Sequence, residues 1–256
     1  MNHPDLQLEV RGAVAVVRLA RPAKRNALSD GLILQLRQVF ESLPDEVRAA
    51  VVDGQGDHLC AGLDLAELTE RDAGQGLHHS RMWHAALDQV QFGKVPVIAA
   101  LHGAVVGGGL ELASACHIRV ADETTFYALP EGSRGIFVGG GGSVRVPRLI
   151  GAARMADMMF TGRVYNAQDG ERVGFAQYLV PAGQAFDKAF ALAERVAENA
   201  PLTNYALMHA LPRIAEQPAD QGFFTEALMA AITQSAPEAK QRVQAFLEGR
   251  ADKVKG

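Results

Sequence analysis

The sequence predicts an α/β fold followed by a mainly helical C-terminal part, and three observations support this prediction. Short aliphatic runs alternate with segments of helical periodicity through the first two-thirds of the chain, which is typical of a layered α/β core. Glycines cluster ahead of predicted helices, at residues 107–109 and 139–142. The last third has apolar residues at helical spacing, with prolines between the runs.

The first predicted elements are a β-hairpin and a helix. Apolar and polar residues alternate over residues 6–10, and the valine-rich run Val14–Val17 follows the turn Arg11-Gly12. Apolar residues then recur at helical spacing from Leu28 onwards, and Ser29 is placed to cap the start of this helix.

Four further strands and a short helix are predicted in the middle of the chain, and the first glycine cluster opens the helix. Asp53-Gly54 is a turn signal that ends the first of these strands. The predicted strands are residues 49–52, 97–101, 117–120 and 124–127, and the predicted helix is 110–116. The helical runs of the last third are 186–196, 205–214, 223–232 and 242–247.

The composition excludes several classes of protein. Hydrophobic residues make up 48% and charged residues 21% of the chain, which excludes disordered and fibrous proteins. The 25 basic and 29 acidic residues give a net charge of −4, so neither nucleic acid nor an anionic membrane is an expected partner. Two cysteines cannot form a disulfide framework, and the first residues lack the pattern of a signal peptide. We therefore expect a cytoplasmic protein.

The segment Gly107-Gly108-Gly109-Leu110-Glu111 is the first candidate for chemistry. Glycines that open a helix bring bare N–H groups to its positive end, where negative charge is stabilised. A dinucleotide-binding fingerprint is excluded, because it would require glycine where Leu112 stands. Close packing of the helix is the structural alternative for these glycines.

A second candidate is the segment Cys60-Ala61-Gly62-Leu63-Asp64. Small residues after a strand allow a sharp turn and leave N–H groups available for an incoming carbonyl oxygen. An ordinary turn between a strand and a helix is the alternative.

Glu111 and Glu131 are the candidate acid–base residues. Glu111 lies three residues after Gly108, although a carboxylate in the first turn of a helix can also serve only as a cap. A helix of about eight residues rises ~12 Å and a strand of about four covers ~13 Å, so the chain can return and place Glu131 near Glu111. The alternative for Glu131 is an exposed loop residue.

The order of these motifs resembles the enoyl-CoA hydratase/isomerase superfamily, also called the crotonase superfamily. The resemblance covers nearly the whole chain, and its ordered motifs are more specific than any one glycine cluster. The residues that carry it are Arg21-Pro22, Asn26-Ala27-Leu28, Cys60-Ala61-Gly62-Leu63-Asp64, Gly107-Gly108-Gly109-Leu110-Glu111-Leu112-Ala113, Leu129-Pro130-Glu131, Gly135-Ile136, Gly139, Gly141, Gly142 and Phe246-Leu247-Glu248.

This resemblance implies a fold and an oxyanion hole. The fold is a crotonase-like core of repeated ββα units, assigned to residues 1–197, and a helical region at 198–256 that contributes to trimer formation and CoA contacts. Members generally assemble as trimers, often paired into hexamers, and act on coenzyme A thioesters. Carried over by position, the amides of Leu63 and Gly108 hold the thioester oxygen, while Glu111 and Glu131 handle water and protons.

The resemblance also implies where the CoA part of the substrate binds. Backbone from Ala23 to Ala27, together with Ala61, approaches the adenine and pantetheine groups. Lys24 or Arg25 meets the phosphates, as does Lys253 or Lys255 from a neighbouring subunit. Gly62, Asp64 and Gly107 complete the predicted binding residues. Neither a metal nor a permanently bound cofactor is expected, since coenzyme A arrives as part of the substrate.

A 2-enoyl-CoA hydratase is the leading functional expectation, because both glutamates are present, whereas many related isomerases keep only the later one. Departures from the family pattern flank Glu131 and the predicted acyl pocket, so the reaction type stays open. They are His117, Val138, Gly140 and Tyr127-Ala128. The alternatives are an isomerase, a C–C lyase, a thioester hydrolase or a CoA-binding protein without turnover.

Overall fold

The structure is a computed structural model that describes residues 4–67 and 70–250 of the chain. It divides into two compact units, Met1–Ala197 and Glu198–Gly256. The strands of the first unit are β1 (Leu6–Arg11), β2 (Val14–Leu19), β3 (Ala49–Gly54), β4 (Val97–Leu101), β5 (Ala104–Val106), β6 (Ile118–Asp122), β7 (Phe126–Ala128), β8 (Tyr165–Asn166) and β9 (Tyr178–Val180). Its helices are α1 (Asp30–Glu41), α2 (Ala73–Phe92), α3 (Gly108–Ala115), α4 (Gly142–Ile150), α5 (Ala152–Thr161), α6 (Ala167–Val173) and α7 (Ala185–Ala197).

Two strands followed by a helix recur along the first unit, as β1-β2-α1, β4-β5-α3 and β6-β7-α4. The first strands of these units, β1, β4 and β6, form a six-stranded sheet with β2, β3 and β9, in the order β1-β2-β3-β4-β6-β9. β1 and β2 form the predicted antiparallel hairpin, and the remaining neighbours are parallel. This is the repeated ββα architecture that the family resemblance implies.

Helices cover the large sheet on both faces, which explains why its central strands are continuous apolar runs. Alternate residues of β3 show this most clearly. Ala50 and Val52 pack into a core with α1, α2 and α3, whereas Ala49 and Val51 pack against α7. The sheet is therefore the middle of three layers.

A second, smaller sheet positions the glycine-rich segments. It has the order β5-β7-β8, and β5 leads directly into Gly107 and α3. An isolated parallel bridge joins Cys60 to Val105 of β5, and another joins Leu28 to Leu63. These bridges place the two segments that were predicted to carry chemistry side by side.

Most predicted elements of this unit are confirmed, with changes of a few residues at their ends. Ser29 caps α1, and its Oγ accepts a hydrogen bond from the Leu32 N–H at 3.2 Å. Helix α2 was not predicted, because its first half is polar and contains two glycines. A capping box of Asp72 and Gln75 starts it, and its buried side chains lie only on one stripe of its second half.

The second unit contains the helices α8 (Pro201–His209), α9 (Leu211–Ile214), α10 (Ala219–Ser235) and α11 (Pro237–Leu247). Its α10 helix presents large apolar side chains to solvent, with Phe223 70% and Phe224 67% exposed. Across the described residues, no helix is both long and apolar enough to cross a membrane.

Candidate active site

Two backbone amides, those of Leu63 and Gly108, lie next to each other with their N–H groups unused. The bridge between Leu28 and the 60–64 segment uses the Gly62 carbonyl and the Asp64 N–H, so it leaves the Leu63 N–H free. Gly108 is the first residue of α3, where an N–H has no partner within the helix. A Cβ added at Gly108 would lie 3.6 Å from the Leu63 nitrogen. Within residues 4–67 and 70–250, neither amide has an acceptor.

Glu111 is buried in the first turn of α3, and one of its carboxylate oxygens is held by backbone. Oε1 accepts hydrogen bonds from the Gly140 and Gly142 N–H groups, both at 2.8 Å. Oε2 makes no hydrogen bond to any described residue. The arrangement fixes the carboxylate and leaves one oxygen for a ligand.

Glu131 follows β7, and the chain brings its buried side chain back to the start of α3. A Cβ added at Gly107 would lie 2.6 Å from Glu131 Oε1, so the carboxyl group lies directly against the start of α3. Gly107 also has φ 52° and ψ −121°, a backbone conformation that favours glycine. Glu131 Oε2 is buried and has no hydrogen-bond partner in the described part of the chain. It is therefore available to a group that enters the site.

The surroundings affect the two carboxyl groups differently. Burial raises the pKa of Glu111, but the two N–H donors and the charge of Arg145 oppose this shift. Burial and, to a smaller extent, the charge of Glu111 raise the pKa of Glu131 to about 7. Its own N–H and Arg134 offset that only in part. The pKa of both carboxyls is therefore raised, but Glu111 has two backbone donors and a buried cation that favour its anion, whereas Glu131 readily carries a proton near neutral pH.

The residues predicted to contact the CoA moiety lie beside the 60–64 segment. Ala23, Lys24 and Arg25 are exposed in a turn that ends in left-handed backbone, with φ 49° at Arg25. The Arg25 carbonyl accepts a hydrogen bond from the Ala61 N–H at 2.9 Å. Ala27 is half-buried in the same strip. Lys253 and Lys255 lie outside the described residues.

Asp64, which was also predicted to contact the substrate, has a carboxylate that is ion-paired within the protein. Its buried carboxylate forms ion pairs with Lys24 and Arg21, both at 2.9 Å. Hydrogen bonds from Lys24, the Ala66 N–H and Arg21 lower its pKa to about 2. These contacts join the segment around Lys24 to the 60–64 segment, so Asp64 stabilises the arrangement of the two segments.

Asn26 is a structural clamp that the sequence reasoning did not identify. Its fully buried amide accepts a hydrogen bond from the Arg21 N–H at 2.9 Å and donates to the carbonyls of Gln55 and His58 at 3.0 and 2.7 Å. Its φ of 55° is a conformation that asparagine tolerates better than most residues. The family motif Asn26-Ala27-Leu28 was the signal in the sequence that could have identified Asn26 as a structural residue.

Trp83 and Arg145 also line or support the site, and neither was among the predicted site residues. The Trp83 ring lies 3.0 Å from a Cβ added at Gly108 and 2.9 Å from one added at Gly140, so the indole forms a wall beside both glycines. The position of Trp83 depends on α2, which the sequence did not reveal. Arg145 is buried beneath the turn that binds Glu111.

Two of the departures from the family pattern have packing roles in the structure. His117 Nδ1 accepts a hydrogen bond from the Val97 N–H at 3.0 Å, and the ring of Tyr127 stacks on Phe175 at 4.6 Å between centroids. That these two departures flank the acyl pocket stays a prediction. Gly140, in contrast, lies directly against Glu111 and Trp83.

Other reactive side chains contribute little. Burial raises the pKa of both cysteine thiols, Cys60 and Cys116, to about 12, which disfavours a nucleophilic thiolate. Among the described residues, no group of three or more histidine, cysteine, aspartate or glutamate side chains is arranged to hold a metal ion.

Comparison with known proteins agrees with this geometry. The model of the enoyl-CoA hydratase/isomerase family matches residues 9–256. An enoyl-CoA hydratase of Mycobacterium tuberculosis is 30% identical over 97% of this chain and 95% of its own. The 2,3-dehydroadipyl-CoA hydratase of Escherichia coli is 30% identical over 95% of each chain. A crystal structure from Rhodopseudomonas palustris, provisionally named an enoyl-CoA hydratase, is 59% identical with a TM-score of 0.94, over 96% of this chain and 95% of its own.

Proposed function

This chain belongs to the enoyl-CoA hydratase/isomerase family, and we propose that it is a 2-enoyl-CoA hydratase, which adds water across the C2–C3 double bond of an acyl-CoA thioester. The observation that carries the proposal is the meeting of two unused amides with two buried glutamates of unlike environment. Hydration of an enoyl thioester requires both parts, because it needs an oxyanion site and a pair of acid–base groups.

The amides of Leu63 and Gly108 stabilise the developing charge. Attack of water at C3 moves electron density through C2 to the thioester oxygen, which becomes enolate-like. Two fixed N–H donors directed at that oxygen stabilise this state more than the ground state, because its charge is larger there. The thioester itself activates the substrate, so we propose that no metal and no further cofactor takes part.

Glu111 orients and deprotonates the water. Its Oε1 is bound by the Gly140 and Gly142 N–H groups, so Oε2 is the oxygen that accepts the water hydrogen. Glu131 delivers a proton to C2, since its raised pKa lets it hold that proton at neutral pH. The roles of base and acid are thereby divided between the two carboxyl groups.

The CoA end of the substrate lies along the exposed strip from Ala23 to Ala27 and against Ala61. Lys24 is committed to Asp64 at 2.9 Å, whereas Arg25 forms no ion pair with the described residues. Arg25 is therefore the better candidate to meet the CoA phosphates. Gly62 and Gly107 serve the site by close backbone approach, and Lys253 or Lys255 remains a proposal for a contact from another subunit.

The direct test is a mass-spectrometric assay of the purified protein with enoyl-CoAs of varied acyl group in heavy-oxygen water. Hydration gives a 3-hydroxyacyl-CoA that carries one heavy oxygen atom. A shifted double bond, a shortened acyl chain or free coenzyme A would identify isomerisation, C–C cleavage or hydrolysis instead. Acyl-CoA binding without any product would identify a binding protein.

Loss of the Gly108 donor is expected to slow hydration severely. Gly108→Pro removes the N–H, which costs about 2.7–4 kcal/mol or roughly 100- to 1000-fold in kcat. Gly108→Ala is the matched control, because it places a Cβ equally close to Trp83 but keeps the N–H. Equal kcat values for the two variants would contradict a donor role for this amide.

Replacement of either glutamate by glutamine is expected to lower kcat at least ~100-fold, the lower end for general acid–base catalysis. Glutamine keeps the shape of the side chain but cannot exchange the proton. Circular dichroism and acyl-CoA binding serve as controls for folding and site integrity. Near-normal turnover by E111Q or E131Q would remove that residue from its proposed role.

The pH dependence of kcat/KM follows from the two pKa values. A proton donor must be protonated to act, so hydration is expected to decline as pH rises through about 7, where Glu131 loses its proton in the free enzyme. At low pH the rate declines because Glu111 becomes protonated. A kcat/KM that stays constant from pH 6 to pH 9 would exclude Glu131 as the donor.

We propose a trimer or a hexamer for the assembled protein. The exposed apolar side chains of α10 and α11, which include Phe223, Phe224 and Leu247, are more than a monomer needs to leave in water. Light scattering coupled to size exclusion is expected to give the mass of three or six chains. A monomer at micromolar concentration would contradict this assembly.

A further inference from the structure

The guanidinium of Arg145 is a buried charged group that acts on Glu111 and that the proposed reaction does not use. Its side chain is only 8% exposed, although it extends from the first turns of α4. Nε donates to Gln91 Oε1 at 2.6 Å, and Nη2 donates to Asp88 Oδ1 at 2.7 Å. Both partners lie on α2, so this arginine joins α4 to α2.

The third contact of Arg145 reaches the turn that holds Glu111. Nη1 donates to the Gly140 carbonyl at 3.1 Å. The Gly140 and Gly142 N–H groups of the same turn donate to Glu111 Oε1. Gly141 has a φ of 100°, which allows the turn to close around the guanidinium. The arginine therefore binds a carbonyl of the turn whose N–H groups bind the carboxylate.

We propose that Arg145 is a positioning residue for Glu111: it clamps the Gly140–Gly142 turn and supplies the positive charge that keeps the carboxylate ionised. This inference rests on the proposed hydratase function. It predicts that Oε1 remains bound to the turn while Oε2 faces the water throughout the reaction.

The charges around Glu111 determine the sign of the effect. Arg145 faces it from α4, and Glu131 faces it from the loop after β7. Asp88 of α2 and Arg148 of α4 act on Arg145 itself. Removal of the Arg145 charge raises the pKa of Glu111, whereas removal of the Asp88 charge leaves Arg145 less neutralised and lowers it.

The experiment compares pH profiles of kcat/KM for wild type, R145M, R145K, D88N and the control R148M. The acid limb of each profile is the pH range in which kcat/KM falls because Glu111 becomes protonated. R145M is expected to move this limb to higher pH by at least about one unit, so that kcat/KM at acidic pH is about tenfold lower than in wild type. R145K keeps the charge and should leave the limb near that of wild type, with a lower plateau because the fork is lost. R148M, an exposed residue of the same helix, should leave the profile unchanged.

An acid limb that R145M does not move would overturn the proposal, since structural damage alone lowers the plateau without shifting the limb. If R145M fails to fold, D88N provides the test of the proposal. Asp88 is 55% exposed, so replacing its carboxylate perturbs the core little. A limb at lower pH in D88N supports the proposal, and an unmoved or raised limb contradicts it.

A carbon-13 titration of the glutamate carboxyls separates this proposal from the hydratase assignment. E111Q identifies the Glu111 signal, and the pKa of that signal in wild type and R145M needs no turnover. Wild type that hydrates no enoyl-CoA overturns the proposed function, whereas an equal Glu111 pKa in wild type and R145M overturns the role of Arg145.

Discussion

The burial of the Glu111 carboxyl group constrains the rest of the site. An isolated carboxylate inside a protein is costly unless hydrogen bonds and an opposite charge compensate it. Glu111 receives both, from the Gly140 and Gly142 N–H groups and from Arg145. A Cβ at Gly140 or Gly142 would lie 2.9 Å from atoms of the Glu111 side chain. The glycines after Val138 are therefore needed because the backbone itself is the ligand of the carboxylate.

The small sheet determines which groups meet that carboxylate. Strand β5 pairs with the 60–64 segment on one side through Cys60 and Val105, and with β7 on the other. Its end leads into α3, so one three-residue strand brings together the Leu63 amide, the Gly108 amide and the loop of Glu131. Rigid backbone pairing, rather than side-chain contacts, holds these donors in place, as an oxyanion site requires.

The sequence could predict what depends on local patterns and ordered motifs. Alternating strands and helices, the Ser29 cap and the convergence of Glu111 with Glu131 all follow from periodicity, spacing or the family resemblance. Helix α2 could not be predicted, because the polar residues and glycines of its first half hide a buried stripe that only tertiary packing reveals. Trp83 and the Asp88–Arg145 pair depend on that helix and were missed with it. The ion pairs of Asp64 could not be predicted for a related reason, since the cations that bind its carboxylate come from a segment about 40 residues away.

The two carboxyls differ because only Glu111 belongs to a series of side chains with alternating charge. The series runs from Glu111 to Arg145 and then to the half-exposed Asp88, so each buried charge has an opposite charge next to it on the way to solvent. Glu131 has only the charge of Arg134 to favour its anion among the described residues, and the charge of Glu111 opposes its ionisation. A second anion in the pocket would be only partly compensated, which favours one retained proton in the pair. Under the proposed function, a family member without Glu111 could still transfer protons through Glu131 but could not activate water. The difference between hydration and double-bond migration would then depend on the donors and charge that support a single carboxylate.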